Sequence, residues 1–419
     1  MITFGSFYRG VGKSKYDQTG FDDTTNLDVH SSIGSAQCQL DLVLESATPT
    51  EPCVRAIDPS GNVYFFSTSS GKTWKRTTAG SYSLVNTNAN GAHLGAQYFN
   101  GKVYYATATK LGSFDLVTTW TDTYQTFSKT ATSRPMEEIN GLLIIGNDYL
   151  LSTLDTSGTW TDNSLDLPSN YDITCLAAVG SDLLIGTSMG ANVCQTKVFL
   201  WDTYSASWTY EDDVYEIGVN CFIKIDNGVL AQCGTAGQLY TWNGSAMDRF
   251  KKIRGLTTGA GDQLSTVFKG KPLLANATKV YSIHREDSDL GYAIVQEYTS
   301  TGTISSIIAQ GSQLLVSHNS GVDKIDTNYA TAILDCPEVQ GAVQKVEVNY
   351  DSLPANTTIG ISTKVDGGNW TAQTPITDTI QKKVYFDGGM AQVNFFQARI
   401  TLTPSTSNTP VIKSINYGN

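Results

Sequence analysis

Gly101-Lys102-Val103-Tyr104-Tyr105 and, forty residues on, Gly141-Leu142-Leu143-Ile144-Ile145 are two copies of one unit, a glycine turn running into a short apolar stretch. The unit occurs before them as Gly61-Asn62-Val63-Tyr64-Phe65. It returns as Gly180-Ser181-Asp182-Leu183-Leu184-Ile185, Gly228-Val229-Leu230-Ala231, Gly270-Lys271-Pro272-Leu273-Leu274 and Gly311-Ser312-Gln313-Leu314-Leu315-Val316. From Val63 through Val103, Leu143, Leu183, Val229 and Leu273 to Leu314, the steps are 40, 40, 40, 46, 44 and 41 residues. That is the period of a four-stranded propeller blade. A β-solenoid would repeat at about 20 to 30 residues. A second feature keeps pace, because each anchor is followed by a strand ending in a bulky residue: Trp74, Phe114, Leu154, Trp201, Trp242, Ile283 and Ile325. Eight residues before five of the anchors stand Gly95, Cys175, Cys221, Ser265 and Ser306, small enough for innermost strands converging on an axis. Arg55 and Pro135 are the exceptions. The reading is an all-β chain with a seven-bladed β-propeller over residues 51–330.

Composition agrees. Of 419 residues only 16% are charged, and Thr, Ser, Asn, Gly and 21 Tyr fill the gap, a mixture suited to strands and turns. A net charge of −11 argues against a general nucleic-acid surface, which needs clustered Lys and Arg. The densest basic run, Lys251-Lys252-Ile253-Arg254, reads as a solvated loop. The N-terminus lacks the basic start and apolar core of a signal peptide, and no stretch reaches the length of a membrane span. Seven cysteines without a CxxC pair favour neither a disulfide framework nor a zinc site, and point to assembly in a reducing cytoplasm.

The two ends stand outside the repeat. Residues 1–50 read as an extended, Gly- and Tyr-rich arm that can reach a neighbouring subunit. It ends in one long strand with Ala36, Cys38, Leu40, Leu42 and Leu44 on its buried face. This strand is expected to close the ring or to bridge to the C-terminal domain. Residues 331–419 carry strand candidates at Val343-Val348, Thr357-Thr363, Lys382-Phe386, Phe395-Leu402 and Val411-Tyr417, read as a small C-terminal β-sandwich.

No constellation of catalytic residues emerges. Ser67-Thr68-Ser69-Ser70-Gly71-Lys72-Thr73-Trp74 resembles the Asp-box of sialidase-type propellers, with Ser69 in place of the aspartate. In that family the box is a blade turn remote from the active site. A sialidase also needs an arginine cluster for the substrate carboxylate, and Arg55, Arg76, Arg134, Arg249, Arg254 and Arg285 do not share a blade position. The acidic clusters Glu137-Glu138, Glu211-Asp212-Asp213 and Glu286-Asp287 read as solvated loops, and Asp58-Pro59-Ser60-Gly61-Asn62 as a turn rather than a calcium loop. His30, His93, His284 and His318 lack metal-ligand spacing. Tyr204, Trp208, Tyr210 and Tyr215 either stack on sugar or pack a longer loop onto its blade, and packing is favoured.

Three pieces of the chain resemble structural propeller proteins of tailed-phage tails. These are Asn26-Leu27-Asp28-Val29-His30-Ser31 followed by Gly34, the degenerate propeller itself, and the ending Phe396-Gln397-Ala398-Arg399-Ile400-Thr401-Leu402 with Thr409-Pro410-Val411-Ile412 and Ile415-Asn416-Tyr417. The resemblance implies a virion protein of the tail, baseplate or host-adsorption machine. Such a protein is homo-oligomeric, contacts other tail proteins, and carries no catalytic residue, cofactor or metal. It would neither read DNA sequence nor enter a membrane, and a host-surface glycan would be its further partner. The competing expectations are a glycan-binding lectin and a sialidase-like glycoside hydrolase.

Overall fold

Positive φ at both Asn100 (43°) and Gly101 (82°), and again at Asn140 (52°) and Gly141 (73°), is the backbone of a two-residue hairpin whose twist matches its strands. Asparagine and glycine tolerate that region best, so the turn inside the repeat follows from its sequence. The computed structural model describes residues 2–418 except 5–6, 8–12, 15–20, 32–33, 226–227, 254–255, 257–261, 288–290, 342, 344, 379–382 and 388–393. The described residues hold no α-helix; they form strands, loops and a short 3-10 turn at Asp262–Leu264.

The sheets follow the repeat. Cys53–Ile57, Val63–Ser67, Lys72–Arg76 and Tyr82–Thr87 make four antiparallel strands paired in chain order. The same order recurs in the sheets that begin at Gly95–Phe99, Met136–Ile139, Asp172–Val179, Val219–Ile225 and Ser265–Phe268. A seventh sheet among the described residues begins with Ile304–Gln310, Gln313–His318 and Gly321–Tyr329, and takes its fourth strand, Leu40–Ser46, from the other end of the chain. Each first strand lies beside the first strand of the next sheet, and Ile304–Gln310 lies beside Cys53–Ile57, so the sheets close into a ring.

Crowding near the axis explains the small residues. A Cβ on Gly95 would sit 1.9 Å from the carbonyl oxygen of Arg134, which leads into the next sheet. Cys175 and Cys221 are fully buried at the same level. Hairpin asparagines tie one sheet to the next, with Asn100 Nδ2 donating to the Thr156 carbonyl at 2.8 Å and Asn140 Nδ2 to the Ser181 carbonyl at 2.8 Å.

The ring is latched where its last sheet meets its first. Glu45, on the borrowed strand, receives Arg76 Nε at 2.7 Å and Nη2 at 2.6 Å, and the Tyr82 hydroxyl at 2.9 Å. The Arg76 and Glu45 side chains are 6% and 9% exposed. A bidentate pair this well covered is a strong directional contact.

The C-terminal residues form two further sheets over one core. One runs Lys383–Asp387, Lys345–Tyr350, Val411–Gly418, Ala36–Cys38, Leu27–Asp28, with Ile2–Phe4 also on Val411–Gly418. The other runs Asp23–Thr25, Ala332–Asp335, Phe395–Thr403, Thr358–Val365, Thr371–Ala372, with Val339–Gln340 also on Phe395–Thr403. Leu27, Val346, Ile361, Ile400 and Ile415 meet between them.

Several expectations need correction. The long strand read over residues 36–44 is two strands that part at Gln39, whose N–H donates to Asn26 and whose carbonyl receives Ala330 N–H, both at 2.9 Å. The segment before it is not free to reach a neighbour at its described residues. Ile2–Phe4 and Lys13–Ser14 pair within this chain, the latter against Met247–Lys252, and Phe7 stacks on Phe21 at 5.8 Å. Lys251-Lys252 is therefore strand rather than solvated loop, with Lys251 buried, while Arg254 lies outside the described residues. The acidic clusters also lie in strands, Met136–Ile139, Tyr210–Val214 and Lys279–Asp287. Where one strand face meets water, at the axis or the outer edge, charge is accommodated without a loop.

Candidate functional site

Arg55, the bulky exception among the small axial residues, is where the site begins. From the first strand of the first sheet its Nε donates to the Ile307 carbonyl at 2.9 Å and its Nη2 to the Ser265 carbonyl at 3.2 Å, so the side chain reaches across to the seventh and sixth sheets. Beside it sits the 3-10 turn Asp262–Leu264, at the end of the connection from Lys252 to Ser265, the longest between consecutive sheets of the ring. Gln263 Oε1 receives Arg55 N–H at 3.0 Å, and Asp262 Oδ2 receives Met136 N–H at 3.2 Å. One turn thus hydrogen-bonds to the first strands of the first and third sheets while leading into the sixth.

Asp262 and Gln263 of that turn help to line a cup of about 530 Å³. First strands of six sheets line it, including Arg55, Gln97, Glu137, Ala177, Lys224 and Thr266. The Asn140-Gly141 hairpin contributes to the lining. Lys224 Nζ is paired with Glu137 Oε1 across the cup. Burial raises the Glu137 carboxyl above its usual range, against the pull of Lys224. Burial likewise pushes Asp262 up to about 6, with the Glu137 charge adding to it, while the Met136 amide and Arg55 oppose the rise.

A carboxyl raised on folding has a definite sign in stability. Between an unfolded value near 3.9 and a folded value of about 6, the folded state holds the extra proton, so stability falls as pH rises through that window. Asp262→Asn keeps an acceptor for Met136 N–H and removes the charge. It is expected to raise stability by about 1–2 kcal/mol at pH 7 and to have little effect below about pH 4. Urea midpoints of both proteins at the two pH values check this.

No family description matches the chain, and no characterised protein matches its sequence. Solved structures do resemble it. Streptogramin B lyase aligns with a TM-score of 0.51 at 11% identity, over 69% of this chain and 98% of the lyase. A chain of the mitotic checkpoint complex aligns at 0.51 and 12% identity, over 69% of this chain and 89% of that one. The extracellular domain of a hybrid two component system from B. thetaiotaomicron aligns at 0.52 and 12% identity, over 83% of this chain and 47% of its own. The fold is a β-propeller. At these identities the likeness speaks for architecture alone.

The other residues singled out in the sequence are dispersed over the propeller. In the Asp-box-like turn the missing aspartate is replaced from outside, because Glu51 receives the hydroxyls of Ser67, Ser69 and Ser70 and the Lys72 ammonium. Burial would raise the Glu51 carboxyl, but those donors together hold it down at about 2. Asp58 organises its turn by receiving Asn62 N–H at 2.8 Å. Arginines are each engaged elsewhere: Arg134 is buried among carbonyls, including Lys129 at 2.6 Å, Arg249 pairs with Glu216 at 2.8 Å, and Arg76 holds the latch. Arg285 and His284 have side chains outside the described set.

His93 Nδ1 donates to the Ser67 carbonyl, 3.1 Å away, and burial lowers its pKa to about 4. His318 contacts Asp323 at 3.1 Å and His30 lies 3.7 Å from Glu297. Among the described residues no three His, Cys, Asp or Glu side chains gather as a metal site would require. Trp208 packs edge-on against Phe199 at 5.3 Å and Tyr210 faces Trp242 at 6.0 Å. Tyr204 and Tyr215 are 79% and 62% exposed, but they stand at opposite ends of the strand Tyr210–Val214 and form no common platform.

Sequence reading passed over Asp262, Gln263 and Lys224. Two signals were available: the extra length between Lys252 and Ser265, and a large cation, Arg55, at a position otherwise kept small.

Proposed function

We propose that the chain is a seven-bladed propeller joined to a small β-sandwich, and that it is a structural virion protein of a tailed phage. In this reading it belongs to the tail or host-adsorption machine and works through contacts with copies of itself and other tail proteins rather than through catalysis. The supporting observation is the way one N-terminal segment is shared. Residues 23–38 complete both C-terminal sheets, and residues 40–46 complete the ring. Linked domains commonly move against each other; a segment stitched into both resists that, as a part bearing load between neighbours requires.

The resembling motif at Asn26–Ser31 is the stitch itself. Asp28 Oδ1 receives the N–H groups of His30 at 2.9 Å and Ser31 at 3.1 Å, fixing the chain as it passes between the units. Burial works against the charge, but the hydrogen bond from Ser31 and the charge of Lys271 hold the Asp28 carboxyl below its usual range.

Mass photometry and negative-stain imaging of the full-length protein test this reading, together with detection of the chain in purified particles. Oligomers of fixed size and a constant copy number per particle are expected. A monomer at all concentrations that is missing from particles would overturn it.

A further inference from the structure

We propose that the axial cup binds a neutral saccharide of one or two rings. Its volume of about 530 Å³ lies in the range of small-molecule sites, roughly 300–1,000 Å³. Asp262 and Gln263 are part of its lining, held there by hydrogen bonds with Met136 and Arg55. Its polar groups come from first strands spread around the ring and converge on the centre. Hydroxyls spread around the edge of a sugar ring present the complementary arrangement.

The charge balance selects against anionic ligands. Lys224 is already held by Glu137, and Arg55 lies beside Asp262 with two of its donors on backbone carbonyls. An anion would meet Glu137, Glu138 and Asp262, while Lys224 and Arg55, the cations among the described residues that line the cup, are already engaged. A neutral polyol breaks no pair. It can donate to the carboxylates and accept from Lys224 and the Gln97 and Gln263 amides, forming charge-assisted hydrogen bonds. Half of the Lys224 side-chain surface is exposed, so the Glu137–Lys224 pair remains open to a further partner.

This inference does not depend on the virion reading, and the isolated chain suffices to test it. Calorimetric titration of the full-length protein would use glucose, galactose, N-acetylglucosamine, lactose and maltose, with glucuronate as the charged counterpart. At least one neutral sugar is expected to bind at one site per chain with a dissociation constant on the order of 1 mM or tighter. Glucuronate should bind at least about tenfold more weakly. Thr266→Trp, which fills the cup, should abolish binding, while Tyr204→Ala on the outer surface should leave it unchanged. Should Thr266→Trp fail to fold, Glu138→Gln at the exposed position decides, with an expected loss of about tenfold. No binding by any neutral sugar, tighter binding of a charged one, or binding unaffected by the cup substitution would overturn the proposal.

Discussion

Deleting residues 1–46 is expected to leave a chain that fails to reach its native fold, whereas deleting residues 1–34 should spare the ring and lose the C-terminal two-sheet unit. The longer deletion removes Leu40–Ser46, leaving Gly321–Tyr329 as an unpaired edge and Arg76 without its carboxylate. The shorter one keeps that strand. It takes Phe7, Phe21, Leu27 and Val29 out of the C-terminal core. At about 1.5–3 kcal/mol for each large side chain, the loss is on the order of 6–12 kcal/mol, comparable with the whole stability of a domain. Calorimetry with limited proteolysis distinguishes the two. A 1–34 deletion that melts in one transition and protects residues 331–419 would contradict the assignment. The same structure makes N-terminal deletion unsuitable as a test of oligomer contacts, because the deleted residues belong to the fold.

The second large effect concerns the latch. Glu45→Ala should destabilise the protein by about 3–5 kcal/mol, since it leaves the covered guanidinium of Arg76 unpaired. Glu45→Ala combined with Arg76→Ala should cost less than the sum of the single changes, because the second substitution removes the unpaired charge. Burial tends to raise the Glu45 carboxyl. The hydrogen bonds from Arg76 and Tyr82, with the charges of Arg76 and Lys324, outweigh it and hold the pKa below its ordinary value. A carboxyl lowered on folding gives stability that is fully present above an unfolded value near 4.3 and is lost as pH falls through the folded value. The gap between Glu45→Ala and the unaltered protein should therefore narrow in acid. Urea midpoints that keep the same separation at pH 7 and pH 3 would sink the argument.

The architecture was legible because a blade is local. Its turn, its apolar stretch and its small axial residue recur within about 45 residues, so the pattern can be counted along the chain. A further periodic signal went unread. The residue after Phe114, Leu154, Trp201 and Trp242 is Asp115, Asp155, Asp202 or Asn243, and each side chain receives backbone N–H groups of the turn that follows, at 2.7–2.9 Å. These are Asx turns, which these residue types form readily.

What escaped the sequence is non-local. The break at Gln39 is invisible as periodicity, since Ala36, Cys38 and Leu42 keep one alternation while their strands join different sheets. The cup was equally hidden. Arg55, Glu137, Lys224 and Asp262 are spread over more than 200 residues and come together only through ring closure. Acidic strands were read as loops because average strand preferences do not distinguish a covered face from a wet one.

The borrowed strand also sets an order of events during synthesis. Leu40–Ser46 leaves the ribosome long before its partner Gly321–Tyr329, and Leu27–Asp28 and Ala36–Cys38 must be ready for a sheet whose central strand, Val411–Gly418, is translated last. At about 5–20 residues per second, the roughly 280 residues between Leu40–Ser46 and Gly321–Tyr329 take about 14 to 56 seconds. Throughout that interval the nascent N-terminus carries unmatched backbone donors and apolar side chains, while the intervening blades can condense one by one. Ring closure is then a late, long-range step, and the chain is most open to association with other nascent copies before it.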